Sequence, residues 1–138
     1  MKERYYKWLF LIAAIYDISL GLIFTFFYKP IFSLLGIPLP NFTAYISLLS
    51  VFLIVLGIGY YYISKGDLRK NRDLIKVGTL YKFAYSGVAF FYLIIGTLPH
   101  LAFALVFGVA DLIFGLLFIE CLYSTKKRKW LLDNTFTR

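Results

Sequence analysis

The chain has 138 residues and a formal net charge of +8, and 61% of its residues are hydrophobic, 21% aromatic and only 16% charged. Its mean hydropathy is +0.77. Soluble domains are roughly 45–50% apolar, so this composition excludes a soluble globular protein and predicts a single-domain, all-α integral membrane protein.

Four apolar runs are long enough to cross a bilayer as helices, which takes about 20 mostly apolar residues. They cover about residues 8–28, 43–64, 74–96 and 100–123. The basic start resembles a secretory signal, but the first run continues to Tyr28 without a convincing cleavage site. We therefore interpret it as a retained first helix. Residues 124–138 are then a short basic cytoplasmic tail.

The distribution of positive charge predicts the orientation, because Lys and Arg in short loops resist translocation. All but one of the Lys and Arg residues outside the membrane fall on one side of an even-numbered bundle. The opposite connections contain only Lys29 and the single histidine, His100. We predict an up-down-up-down four-helix bundle with both termini in the cytoplasm. The cytoplasmic cations would be Lys2, Arg4, Lys7, Lys65, Arg69, Lys70, Arg72, Lys76, Lys126, Lys127, Arg128, Lys129 and Arg138.

This charge also predicts the surroundings of the protein. We expect contact with the lipid bilayer and attraction to anionic lipid head groups at the cytoplasmic face, and no binding to nucleic acid. The tail KKRKWLLDNTFTR is expected to lie along that surface. Tyr60, Tyr61 and Tyr62, with Trp8 and Trp130, are interpreted as aromatic residues of the membrane interface.

The connection between the first two runs is also informative. The segment between Pro30 and Pro40 is too apolar for a solvated loop, so we predict a short interfacial or re-entrant element there. Asn41 or Thr43 would then cap the second membrane helix through its side chain.

Three ionisable residues, Asp17, Lys82 and Asp111, lie inside the apolar runs. A charged side chain near the bilayer centre costs a few kcal/mol, so such residues usually face the bundle interior and mark a site or a pathway. At a rise of 1.5 Å per residue they lie roughly 14, 12 and 18 Å from the cytoplasmic ends of their helices. These depths are compatible with one shared layer.

Small residues flank each of the three at helical spacing, which lets membrane helices approach closely and places the charges on packing faces. The flanking residues are Ala13, Gly21, Gly78, Ser86, Gly108 and Gly115, and the second run offers the stripe Ser47, Ser50 and Gly57. We expect the hydroxyl of Tyr16 or Tyr85 to reach the same layer, and at least one of the two rings to pack as an ordinary aromatic residue. The candidate ion- or ligand-binding residues are thus Asp17, Lys82, Asp111, Tyr16, Tyr85, Ser50 and Ser86.

Two carboxylates face one ammonium, so a single neutral pair would leave the second aspartate as a buried anion. That aspartate should be protonated or hold a cation. Depth nominates Asp111, since Asp17 matches Lys82 more closely. Three interpretations remain open: a static staple that joins the helices, a proton or cation site that serves transport, and a site for the polar group of a lipophilic ligand or quinone.

No motif indicates an enzyme. The single cysteine, Cys121, excludes an internal disulfide and a Cys-x-x-Cys centre, and the single histidine, His100, excludes bis-histidine haem ligation within one chain. No cluster has metal-ligand spacing, and no serine-hydrolase, zinc-protease or phosphate-loop motif occurs. We therefore predict no catalytic residue, no metal site and no cofactor.

The first half of the chain resembles the DoxX-like group of small four-helix prokaryotic membrane proteins. The resemblance lies in an opening helix with an interior glycine, the segment KPIFSLLGIP at residues 29–38, and a second helix that ends in LGIGY at residues 56–60. It implies a prokaryotic cytoplasmic membrane and association with a redox or quinone-linked complex.

Two function classes follow from these patterns. The first is a proton- or cation-coupled transporter or channel, and because four helices form a narrow bundle, we expect a substrate path to require a homodimer. The second is an accessory or structural subunit, or a lipophilic-ligand binding protein, in which the charged trio only specifies the fold. A hydrated cavity at the trio favours the first class, and a dry, fully paired trio favours the second.

Overall fold

The computed structural model describes residues 2–135, with side chains for residues 2–126. All regular structure in this range is helical, which confirms the predicted class. The elements are α1 (Lys2–Phe26), α2 (Tyr28–Leu34), α3 (Ala44–Lys65), α4 (Arg72–Ile94), α5 (Leu101–Phe103), a π-helical segment (Ala104–Val109) and α6 (Ala110–Thr135). The side chains of residues 127–138, which include Trp130 and most of the basic tail, lie outside the described residues.

Four helical stretches are long and apolar enough to cross a membrane: Lys2–Phe26, Ala44–Lys65, Arg72–Ile94 and Leu101–Lys126. They match the four predicted runs. The first begins earlier than predicted, because the polar residues before Trp8 continue the helix and the Lys7 ammonium lies 3.5 Å from the Glu3 carboxylate one turn away.

The long helices form two closely packed pairs, α1 with α3 and α4 with α6 and the π-helical segment. Glycines allow the backbones of α1 and α3 to touch. A Cβ atom added to Gly57 would lie 3.0 Å from the Ile18 amide nitrogen and 3.1 Å from the Ala14 carbonyl oxygen. One added to Gly21 would lie 2.8 Å from the Ser50 carbonyl oxygen. Gly21 and Gly57 therefore lie on the predicted small-residue packing face, where α1 and α3 are in contact.

Large side chains fill the space between the two pairs. The rings of Phe10 and Phe118 stack with centroids 4.5 Å apart, and the Tyr60 ring meets Phe118 edge-on at 5.2 Å. They belong to a core that occupies one half of the bundle: Tyr6, Leu9, Phe10, Ala13, Ala14, Tyr60, Ile63, Leu68, Ile75, Phe118 and Cys121.

The apolar segment after α1 forms the short helix α2, in the place predicted for a short element. Its chain reverses at Gly36, whose φ of 67° favours glycine, and the Ile37 amide donates to the Phe32 carbonyl at 2.8 Å. The predicted side-chain cap of the next helix is wrong. Thr43 precedes α3, but its side chain makes no capping hydrogen bond, and its backbone carbonyl accepts from the Ile46 amide instead.

A compact turn joins α3 to α4. The Asp67 carboxylate accepts a hydrogen bond of 2.8 Å from the Arg69 amide, and the Asn71 side chain donates to the Asp67 carbonyl. The Arg69 amide hydrogen bond, assisted by the amide of Lys70 and the charges of both basic residues, holds the pKa of Asp67 below its usual value.

Substitution of Gly57 by alanine should destabilise the bundle by about 1–3 kcal/mol, because the new methyl group meets backbone of α1. Gly59 is the matched control on the same helix, since a Cβ there meets nothing within 4 Å. Gly59→Ala should leave the stability unchanged or raise it by up to about 1 kcal/mol. Unfolding of both variants in mixed detergent micelles measures the difference, and equal stabilities would contradict the close approach of α1 and α3.

The Asp67 turn should be pH-dependent. Because the folded state lowers the pKa of Asp67, the carboxylate stabilises the turn above the unfolded-state pKa of about 3.9, and this stabilisation is lost as the pH falls through the lower folded value. NMR titration of the Asp67 carboxyl carbon measures it. The double variant Arg69→Ala with Lys70→Ala keeps the amides and should keep most of the shift. A return to the usual value in that variant would assign the shift to the side-chain charges.

Candidate functional site

The three ionisable residues of the apolar runs meet in the centre of the bundle. The Lys82 ammonium donates to Asp17 Oδ1 at 2.6 Å and to Asp111 Oδ1 at 2.8 Å. The three residues are at most 1% exposed. The shared layer that the depths allowed is therefore formed, and Lys82 bridges both carboxylates instead of pairing with one.

Each member of the trio comes from a different helix. Asp17 lies in the middle of α1, Lys82 in the middle of α4, and Asp111 is the second residue of α6, directly after the π-helical segment. The Asp17 contact joins the α1–α3 pair to the α4–α6 pair, whereas the Asp111 contact lies within the second pair. The trio thus fixes how the two pairs meet.

The π-helical segment beside Asp111 offers backbone carbonyls to side chains of other helices. The Tyr16 hydroxyl of α1 donates to the Val106 carbonyl at 2.8 Å, and the Ser86 hydroxyl of α4 donates to the Gly108 carbonyl at 2.8 Å. Short π-helical segments often occur at functional sites. Tyr16 and Ser86 are both predicted site residues. Their hydroxyls bind the π-helical segment that immediately precedes α6, the helix that carries Asp111.

Aromatic rings surround the ammonium group. The Lys82 nitrogen lies 5.6 Å from the ring centroid of Tyr16, 5.6 Å from Tyr60, 5.9 Å from Tyr81 and 5.3 Å from Phe114. Such distances give favourable cation–π attraction in a desolvated site. The rings also enclose the trio.

The prediction that Tyr60 is an interfacial aromatic residue is wrong. It is 1% exposed, and its hydroxyl donates to the Gly78 carbonyl at 3.2 Å. Gly78 makes room for it, since a Cβ there would lie 2.6 Å from Tyr60 Cε1. Its neighbours Tyr61 and Tyr62 are 44% and 65% exposed. Successive helical residues point about 100° apart, so only one of the three tyrosines faces inward.

Two predicted site residues contact groups other than the trio. The Ser50 hydroxyl donates to the Ile46 carbonyl of its own helix, and the Tyr85 ring packs against Tyr81 at 4.4 Å and against Phe107 at 6.0 Å. Both line an apolar cavity. Hydropathy could not have found that cavity, because its lining has the composition of any membrane helix.

Each aspartate of the trio has one oxygen without a hydrogen bond in the described part of the chain. Among the described residues, Asp17 Oδ2 and Asp111 Oδ2 are buried without a hydrogen-bond partner. Glu120 is a further carboxylate of α6. It accepts a hydrogen bond from the Tyr6 hydroxyl at 2.9 Å and takes no part in the trio. With both aspartates ionised, the trio carries one net negative charge, and two carboxylate oxygens remain available to a proton or a cation.

Within the described residues, no group of three or more His, Cys, Asp or Glu side chains could hold a metal ion. The trio supplies only two carboxylates, with an ammonium between them that repels a divalent cation. The arrangement suits a proton or a monovalent cation.

Comparison with known proteins does not assign the chain: no family model, no curated protein and no solved structure matches it. The DoxX-like resemblance therefore stays a prediction.

The charge balance of the trio predicts an asymmetric response to mutation. Lys82→Met should be mild, because both aspartates can then become neutral acids. The double change Asp17→Asn with Asp111→Asn leaves Lys82 without a counter-ion, so the ammonium must lose its proton or destabilise the bundle by about 3 kcal/mol.

Unfolding in detergent measures both effects. Lys76→Met on the same helix is the matched control, because Lys76 is exposed and pairs only with exposed Asp73 among the described residues. A Lys82→Met variant less stable than the double Asn variant would refute the charge balance given above.

Proposed function

We propose that this chain is a small multi-pass membrane protein that binds and releases a proton at Asp17, Lys82 and Asp111, and that it couples this step to the movement of protons or cations across a membrane. The observation that carries the proposal is the unequal charge of the trio, two carboxylates on one ammonium in a fully buried layer. A buried net charge costs several kcal/mol, and uptake of one proton or one monovalent cation removes it.

The surroundings of Asp111 support a site that changes state. The carboxylate follows a π-helical segment, whose irregular backbone is held by the Tyr16 and Ser86 hydroxyls. A change of charge on Asp111 alters the force on this segment directly. Loss of either of these hydrogen bonds would allow the segment to become a regular α-helix. That change would rotate Asp111 relative to Lys82.

The proposed setting is the cytoplasmic membrane of a prokaryote, with an up-down-up-down order of the helices and both termini in the cytoplasm. The support is the positive charge of the α3–α4 turn and of the basic N-terminal segment, set against the apolar α2 segment. Anionic lipid head groups are the proposed contacts of these basic segments. A homodimer is the proposed assembly, because the bundle interior is filled at the core half.

A second candidate is an accessory or structural subunit of a redox or quinone-linked membrane complex, in which the trio is a static staple. The enclosure of the trio by aromatic rings and its exposure of at most 1% favour this reading. The two candidates differ in one property: a static staple keeps its protonation state at every working pH, and a transport site does not.

Infrared difference spectroscopy on the reconstituted protein distinguishes them. A protonated carboxyl band should be present at low pH and disappear as the pH rises. We expect the band to be lost in Asp111→Asn, because Asp17 lies at nearly the same depth as Lys82 along its helix whereas Asp111 lies deeper. Loss of the band in Asp17→Asn instead would assign the proton to Asp17. Absence of any such band in the native protein would leave the staple as the function of the trio.

A flux measurement tests the coupling. Vesicles that contain the protein and an internal pH dye should equilibrate after a pH jump faster than empty vesicles, and Asp111→Asn should reduce the protein-dependent rate at least about tenfold, as expected for loss of a group required in the step. Asp73→Asn is the matched control, since its carboxylate is exposed and pairs with Lys76. Equal rates for Asp111→Asn and the native protein would overturn the transport proposal.

A further inference from the structure

An apolar cavity of about 510 Å³ lies between the two helix pairs, in the half of the bundle opposite the aromatic core. Its volume falls within the range of roughly 300–1,000 Å³ of ligand-binding pockets. It is lined by Phe24, Phe32, Ile46, Leu49, Ser50, Leu53, Ala84, Tyr85, Val88, Ala89, Tyr92, Leu98, Phe103 and Phe107.

The cavity has a buried floor and an open side. Leu53 and Ala89 are 4% and 6% exposed, whereas Leu49 and Val88, on the facing helices α3 and α4, are 58% and 57% exposed. The opening therefore lies between α3 and α4. The same outer surface carries further exposed apolar side chains, such as Phe52 and Phe91, so the opening faces the lipid and not an aqueous compartment.

The lining admits only an apolar occupant. The Ser50 hydroxyl is used within its own helix on the Ile46 carbonyl, and the lining contains no charged side chain. A polar ligand would lose its hydrogen bonds with water there and gain few in return. A hydrocarbon chain loses none, and it reaches the opening directly from the bilayer.

The inner end of the cavity lies close to the charged layer. Tyr85 and Phe107, whose rings are in contact at 6.0 Å, lie about one helical turn from Lys82 and Asp111 on the same stretches of helix. The Tyr85 ring also packs on Tyr81, and the Lys82 ammonium lies 5.9 Å from the centroid of that ring. Along α4 and the π-helical segment, Tyr85 and Phe107 are therefore among the lining residues nearest in sequence to the trio.

We infer that the cavity binds one hydrocarbon chain of a membrane lipid, which enters laterally between α3 and α4 and ends against the Tyr85 and Phe107 rings beside the trio. The inference rests on the membrane placement of the chain and not on proton binding by the trio. Acyl chains of phospholipids and prenyl chains of isoprenoid lipids share the required chemistry.

Photolabelling of the full chain tests the site. The protein is placed in bilayers of phosphatidylethanolamine and phosphatidylglycerol that contain a phosphatidylcholine with a diazirine on its acyl chain, and adducts are mapped on peptides after irradiation. Lipid around the protein labels exposed residues such as Leu80. A chain inside the cavity also labels Leu53 and Ala89, which surrounding lipid does not reach.

Two valines of α4 give a matched pair of variants. Val88 lines the opening and Val77 does not, and they are 57% and 54% exposed. Val88→Trp should lower the labelling of Leu53 and Ala89 at least about tenfold, the effect of losing contact with as few as two methylene groups. Val77→Trp should leave it unchanged. Ala89→Phe, which fills the floor, should lower the labelling of Leu53 in the same way.

A tenfold excess of a polyprenyl quinone identifies the source of the chain. Loss of the adducts assigns the site to prenyl chains and their persistence to acyl chains, and both results support the site. Labelling of Leu80 without Leu53 and Ala89, or labelling of these two that is equal in native and Val88→Trp protein, would overturn the inference. Asp111→Asn should not change the labelling, so failure of the proton site leaves this result intact.

Discussion

The contact between Lys82 and Asp17 determines how the bundle is assembled. The α1–α3 pair and the α4–α6 pair each pack closely, but they meet through side chains, and Lys82 supplies the buried ionic contact between them. Apolar helices in lipid gain no hydrophobic free energy by meeting each other. An ion pair with one geometry therefore specifies the register of the two pairs, where apolar packing alone would allow neighbouring registers. Removal of both carboxylates is costly because it strands the Lys82 ammonium, whereas the aspartates left by loss of Lys82 can take up protons.

Glycine positions complete this arrangement by matching each large ring with a gap. Gly78 receives Tyr60, Gly115 receives Phe83, and a Cβ on Gly108 would lie 3.2 Å from Phe90. The small residues predicted to bring helix backbones together do so between α1 and α3. In the π-helical segment and in α6 they serve another purpose, since Gly108 and Gly115 accept rings of α4. Spacing alone identifies the packing face but not the size of the group that packs there.

The sequence predicted the helices and the buried charges well, because hydropathy and the cost of charge in lipid act on single residues. It could not predict the π-helical segment, which depends on Tyr16 and Ser86 of other helices reaching the Val106 and Gly108 carbonyls. The burial of Tyr60 was missed for the same reason. The sequence also does not show which predicted residues contact the trio: Ser50 donates to a carbonyl of its own helix, and Tyr85 packs against other rings.

The space between the two helix pairs is used differently in its two halves, and the trio lies at the boundary. On one side Phe10, Tyr60 and Phe118 fill it with stacked rings. On the other side the same space stays open as the cavity, whose lining includes Tyr85 and Phe107. Because Tyr85 and Phe107 lie about one helical turn from Lys82 and Asp111 along the chain, the cavity brings open space nearer to the trio than the packed core does. A lipid chain bound as inferred above would pack against those rings and slow proton exchange at the trio, and its departure would give water the shorter path.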